Sequence, residues 1–241
     1  MSSPDVITRK DMKEPDRFQQ TATRTAGWIA SHRKPVLAAL GVLVGIVVIT
    51  TIVSAVQARR EANAGAAAGA LLTTLSATVS SVPLPGSPGP FFPSEEAKQR
   101  AVVASADAIL AEYGGTGPGE IAALAKGDAH LALREWDAAT QAYDLFLAKA
   151  GKGDTLRFGA LEGLALAAEG KGDLAASAAG FERLAGEAPA FADRADLERA
   201  RVLAQAGKVD EAKQLLAAFP EKHKESLLAS EAASRLARLG R

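Results

Sequence analysis

The chain has 241 residues, enough for one or two domains, with 28 basic and 28 acidic side chains, 5% aromatics and no cysteine. The charge balance gives no reason to expect a nucleic-acid partner, and the missing thiols exclude disulfides, thiolate metal sites and lipid attachment through an N-terminal cysteine. Few aromatics with heavy use of alanine favour closely packed helices over a β-sandwich, so the expected fold class is all-α.

Residues 1–35 read as a cytoplasmic tail. Within it DRFQQTATRTAGWIA (16–30) is either a short juxtamembrane amphipathic helix, with Phe18, Ala22, Thr25, Trp28 and Ile29 towards lipid, or a loosely ordered tail. Val36 to Val56 then runs without a charged residue. At about 1.5 Å per residue it matches a hydrocarbon core of ~30 Å and is expected to be a transmembrane helix. Pro35 suits a first turn, where its missing N–H costs nothing. Trp28 and the His32-Arg33-Lys34 cluster suit the interface on one side, Arg59 and Arg60 the other. Arg17, Arg24, Arg33 and Lys34 upstream outnumber Arg59 and Arg60 downstream, which predicts a cytoplasmic N-terminus and a C-terminal part across the membrane. A cleaved signal with its site at Val56-Gln57-Ala58 is the rival, but the apolar run and the leader before it are both too long for one. Gly41 and Gly45 form a GxxxG: either a transmembrane helix contact or the ordinary glycine content of membrane helices.

Residues 57–93 read as an Ala/Gly-rich helical extension followed by a Pro-rich linker, whose prolines and glycines between Val82 and Pro93 prevent regular helix. Ser94 before Glu95 and Glu96 reads as an N-cap with an acidic first turn. From there to Arg241 helices alternate with short turns. Asp137, Asp173 and Asp210 recur at intervals of 36 and 37, and Ala139, Ala175 and Ala212 follow two residues later. Helix-like stretches precede these turns (121–133, 157–169, 192–206) and follow them (138–149, 174–187, 211–219). The predicted unit is a helix–turn–helix hairpin: a half unit at 94–114, units at about 120–152, 156–188 and 192–220, and a terminal helix at 221–239 that shields the last apolar face. Gly170 and Gly207 are expected to end helices in the left-handed conformation. Phe181 stands about two residues out of step with Tyr143.

Gly127, Ala139 and Tyr143, then Gly163, Gly170 and Ala175, then Gly207, Ala212 and Pro220 resemble the tetratricopeptide repeat (TPR), with a period slightly longer than usual. Such an array works by offering a surface lined by the first helix of each unit to a peptide or protein. In an approximate register the exposed positions of these first helices, which would line a peptide groove, comprise Ile121, Leu124 and Leu131, then Arg157, Ala160 and Leu164, then Arg194, Leu197 and Arg201: an apolar floor with a few arginines. The same residues could equally be packing between helices.

No catalytic constellation, cofactor motif or metal-ligand spacing is recognisable, so an enzyme is not expected. His130 in AHLAL reads as a partly buried helix residue, and Gly-Lys-Gly-Asp at 151–154 as a hairpin turn.

The phrase Trp28-Ile29-Ala30-Ser31-His32-Arg33-Lys34 before the span, the Lys-Gly-Asp turn with its alanine at 171–175, and the order tail, span, repeat domain resemble the YfgM-like ancillary subunits of the bacterial SecYEG translocon. The resemblance implies a single-pass inner-membrane protein with a periplasmic C-terminal domain. Its implied partners are the Sec translocon, exported clients and envelope chaperones, and its implied role is that of a chaperone-like holder. A structural adaptor assembling an envelope, secretion or pilus complex is the alternative. Oligomeric state is left open.

Overall fold

The computed structural model describes residues 24, 28, 30–80 and 90–240. The predicted amphipathic stretch at 16–30 and the Pro-rich segment at 81–89 therefore fall largely or wholly outside the described residues. Nine α-helices make up most of what is described: α1 (Arg33–Leu75), α2 (Glu95–Tyr113), α3 (Gly117–Ala132), α4 (Trp136–Leu147), α5 (Arg157–Gly170), α6 (Leu174–Glu187), α7 (Ala192–Gln205), α8 (Val209–Lys222) and α9 (Ala229–Leu239). A 3₁₀ turn at Pro189–Phe191 precedes α7, and two dipeptide strands, β1 (Thr78–Val79) and β2 (Phe91–Phe92), pair in parallel. The fold is all-α.

The chain divides into two compact units between Ala58 and Arg59. In the first, α1 begins at Arg33, and its run from Leu37 to Val56 leaves leucine, isoleucine and valine side chains exposed throughout. The helix is long and apolar enough to cross a membrane. A Cβ added at Gly41 or Gly45 would meet nothing within 4 Å among the described residues.

The second unit begins within α1. Its segment 59–75, expected to be a helical extension, is helical to Leu75, but it does not stand free as a linker. Ala64, Ala68 and Leu71 are buried, and Leu71 shares a core with Val102, Ala106 and Ile109 of α2. The Arg60 guanidinium donates to the Glu112 carbonyl at 2.9 Å, so this segment runs antiparallel along α2. The half unit at 94–114 thereby gains a first helix. Ser94 caps α2 as its type predicts, accepting from the Ala97 N–H at 3.1 Å.

The following helices pack on their neighbours in chain order as the hairpins α3/α4, α5/α6 and α7/α8. Each hairpin turns the same way. Arg134, Gly172 and Gly207 alone among the described residues have positive φ, at 60°, 83° and 79°. Each is the C′ residue of a Schellman turn. The Glu135, Asp173 and Lys208 N–H groups donate back to the His130, Ala168 and Leu203 carbonyls at 2.9, 3.0 and 2.9 Å. The Arg134, Gly172 and Gly207 N–H groups donate to Leu131, Glu169 and Ala204 at 3.1, 2.8 and 3.1 Å.

These turns correct the register read from the aspartates. They recur 38 and then 35 residues apart, and burial follows them. Ala139, Ser177 and Ala212 are buried in step, as are Tyr143, Phe181 and Leu216, and Phe146, Leu184 and Phe219. On the first helices Ala122, Ala160 and Ala195 correspond, as do Ala129, Ala167 and Val202. Phe181 is therefore in step with Tyr143. In the second unit Gly172, not Gly170, takes the left-handed conformation, and Asp173 is the N-cap of α6, accepting from Ala176 N–H at 2.9 Å. Asp137 and Asp210 lie instead inside the first turns of α4 and α8. Ala175, expected to be the small packing residue, is exposed; Ser177 holds that place.

Gly170 is required for another reason. A Cβ there would press on the Trp136 ring, and one at Gly127 or Gly163 would enter the Tyr143 ring, which lies between those two glycines. Gly-Lys-Gly-Asp at 151–154 lies in the α4–α5 turn, closed by Asp154 N–H to the Gly151 carbonyl at 2.9 Å.

Candidate functional site

The turn register fixes which residues of the first helices share a face. In step with Ile121 stand Gly159 and Arg194; with Leu124, Glu162 and Leu197; with Asp128, Leu166 and Arg201; with Leu131, Glu169 and Ala204. The structure places Ile121 exposed, Leu124 and Leu131 half-buried, Arg194 exposed and Arg201 half-buried on this face.

Four other expected groove residues are not open on this face: three lie elsewhere on α5, and Leu197, in step with Leu124, is covered. Arg157 is buried: its guanidinium donates to the Ala150 and Leu147 carbonyls at 3.1 and 3.3 Å and to Glu187 at 2.5 Å, closing the α4–α5 turn. Ala160 is fully buried among Tyr143, Phe146 and Ala123. Leu164 packs against that same cluster. Leu197 is buried among Phe181, Leu216 and Phe219, with α9 across it: Arg235 donates to the Leu197 carbonyl at 3.1 Å. Three of the four come from the second unit, where the aspartate register is two residues out.

Along the face, α5 and α7 are joined by two ion pairs two helical turns apart. Arg194 meets Glu162 at 2.7 Å, and Arg201 meets Glu169 through two nitrogens at 2.6 and 2.7 Å. The fork-to-carboxylate geometry of the second pair is the strong form of this contact. The Arg201 hydrogen bond holds the Glu169 carboxyl below its usual range, and Glu169 raises the Arg201 guanidinium in return. Arg201 also reaches Glu198 at 2.7 Å. Arg194 lies 5.6 Å over the Phe158 ring, which stacks on Phe191 at 3.9 Å between centroids. On α3, Asp128 accepts from the buried Tyr143 hydroxyl at 2.7 Å. Desolvation pushes the Asp128 carboxyl up, against the Tyr143 hydrogen bond, with Glu162 adding repulsion.

Beside the Glu169–Arg201 pair lies a cleft of about 520 Å³ lined by Leu131, Trp136, Leu166, Glu169, Gly170, Arg201 and Gln205. Leu131, Trp136 and Leu166 give it an apolar wall, and Glu169–Arg201 gives a wall whose charges already cancel. Leu131 and Arg201 were legible as groove residues. Trp136, Leu166 and Glu169 were not, although an aromatic at the start of a second helix was an available signal.

A second polar cluster escaped sequence reading. Asp196, fully buried at a position held by Ala123 and Leu161 in the other units, accepts from Lys222 at 2.6 Å and pairs with His223 Nε2 at 2.7 Å. Its other oxygen is buried with no hydrogen-bond partner among the described residues. These contacts fasten the end of α8 to α7. His130 is buried with Nδ1 2.7 Å from Glu135, beside the first Schellman turn. Among the described residues no cluster of three His, Asp or Glu is placed to hold a metal.

No family model matches the chain, and no curated protein matches it either.

Proposed function

We propose that the chain is a membrane-anchored protein-interaction module of TPR-like construction in the bacterial envelope, ancillary to the Sec translocon, which holds segments of exported proteins on the face of α3, α5 and α7. The cleft at Leu131, Trp136 and Leu166 carries this reading. Its arginine is already satisfied by Glu169 and Glu198, so the cleft favours an uncharged apolar segment over an acidic tail. Such contacts are weak singly. Anchoring by α1 with the N-terminus in the cytoplasm raises their effective concentration where chains emerge from the translocon. The two structural features that support a repeat are the recurring Schellman turn and the recurring buried triplets.

Photo-cross-linking in intact cells tests the reading, with probes at Leu131 and Leu166 and mass spectrometry of the adducts. The expected outcome is translocon subunits together with many exported proteins. One recurrent envelope partner without translocon would instead establish a structural adaptor.

A further inference from the structure

We infer that a second copy of this chain docks on its C-terminal end, inserting Leu227 into an apolar slot between α7, α8 and α9. Leu227 is 96% exposed, whereas no other exposed large apolar side chain among the described residues exceeds 63%. It is not at a loose tip. Ser226 beside it donates to Asp193 at 2.5 Å and accepts from the Leu228 N–H at 3.1 Å. Leu228 on its other side packs against the core of Phe219 and Ala232. Two fastened neighbours hold the leucine out in water, so docking it costs little ordering entropy.

The slot has a matching shape and charge. Ala200, Ala204, Leu216 and Leu239 form its floor, with a volume of about 160 Å³, room for one branched aliphatic side chain. Arg201, Arg235 and Arg238 complete its rim, and Arg201 is held by Glu169 and Glu198. Arg235 is occupied by Glu231 at 2.7 Å, Glu198 at 3.3 Å and the Leu197 carbonyl at 3.1 Å. Arg238 reaches Glu231 only at 3.6 Å, on the oxygen Arg235 already holds. Its donors are the spare ones at the rim. Of the charges before the projecting leucine, Lys222 is held by Asp196 at 2.6 Å and Lys224 reaches Glu221 at 3.8 Å, which leaves exposed Glu225 as the one without an ion pair among the described residues. Knob and slot are different surfaces of one chain, so the contact is heterologous and propagates in rows instead of closing as a symmetric pair. One side chain buries too little area for a tight complex in dilute solution.

The natural absence of cysteine permits a direct test on the full chain in detergent micelles. Lys224→Cys in one tagged pool lies beside the knob, and Ala237→Cys in a second pool lies beside the slot; both positions are exposed. After mixing, a short bismaleimide should join the two pools more than it joins either to itself. Leu227→Asp in the first pool should cut the mixed adduct at least about tenfold, the equivalent of ~1.4 kcal/mol. Glu225→Arg should weaken it, and Arg238→Glu in the second pool should restore it. Unchanged helical circular dichroism of these surface variants shows that folding is intact. A mixed adduct no stronger than the same-position adducts, or one indifferent to Leu227→Asp, overturns the proposal.

Discussion

Tyr143 shows how single residues set the spacing of this protein. Its ring fills the gap between Gly127 and Gly163, and its hydroxyl finds Asp128. Gly127→Ala or Gly163→Ala forces a methyl into that ring and should cost about 1–3 kcal/mol by overpacking. Gly159→Ala, with open space around it and helical backbone, should instead gain about 0.5–1 kcal/mol. Chemical denaturation of the three variants checks the contrast, and equal effects would contradict this account of the glycines. Ser177 offers an opposite case. It occupies the place of Ala139 and Ala212, and its buried hydroxyl has no partner among the described residues. Ser177→Ala should therefore raise stability by about 1 kcal/mol. Asp128 has its carboxyl raised by desolvation. Its charge opposes folding at neutral pH, and this penalty disappears as the pH falls through the raised value. Asp128→Asn should thus raise the melting temperature at pH 7, with the gain shrinking on acidification.

At the scale of elements, helix positions were legible and register was not. Each predicted first and second helix of the three units has its counterpart, because alanine-rich apolar runs between Gly, Asp and Pro leave little other choice. The expected phase failed for a local reason. The letters Gly-Lys-x-Asp at 170–173 and 207–210 look equivalent, but the chain turns at the third letter of one and the first of the other, Gly172 and Gly207. In the first unit the turning residue is Arg134, which carries no glycine signal at all. A two-residue error then moved Arg157 and Ala160 from the core onto an imagined surface. The 59–75 segment is helical as expected, but its packing on α2 was not legible, because its small residues leave only Leu71 as a large buried contact. Arg157 is the element-scale test. Removing its guanidinium as Arg157→Met strands two buried carbonyls and Glu187, and should cost about 3 kcal/mol in the α4–α5 turn. A loss below about 1 kcal/mol would show the turn to be held by other contacts.

For the whole molecule, acid should be the destabilising direction. Hydrogen bonds from Arg201, from Arg183 with Arg157, and from Ser226 hold Glu169, Glu187 and Asp193 below their ordinary values. Stability from such groups is complete above the unfolded carboxylate range and lost as the pH falls through the depressed values. The melting temperature should be level from pH 7 to about 5 and drop below about 4.

The central claim is that the face of α3, α5 and α7 receives apolar peptide at the cleft beside Trp136. Trp28 and Trp136 are the only tryptophans, so a Trp28→Phe full chain in detergent micelles reports on the cleft alone. Titration with an uncharged leucine-rich peptide should shift the Trp136 emission to the blue and saturate. The response should persist at high salt, because the charges of the cleft are already paired, and vanish in Leu131→Glu. An emission that peptide leaves unchanged, or a response that Leu131→Glu does not alter, would contradict the account.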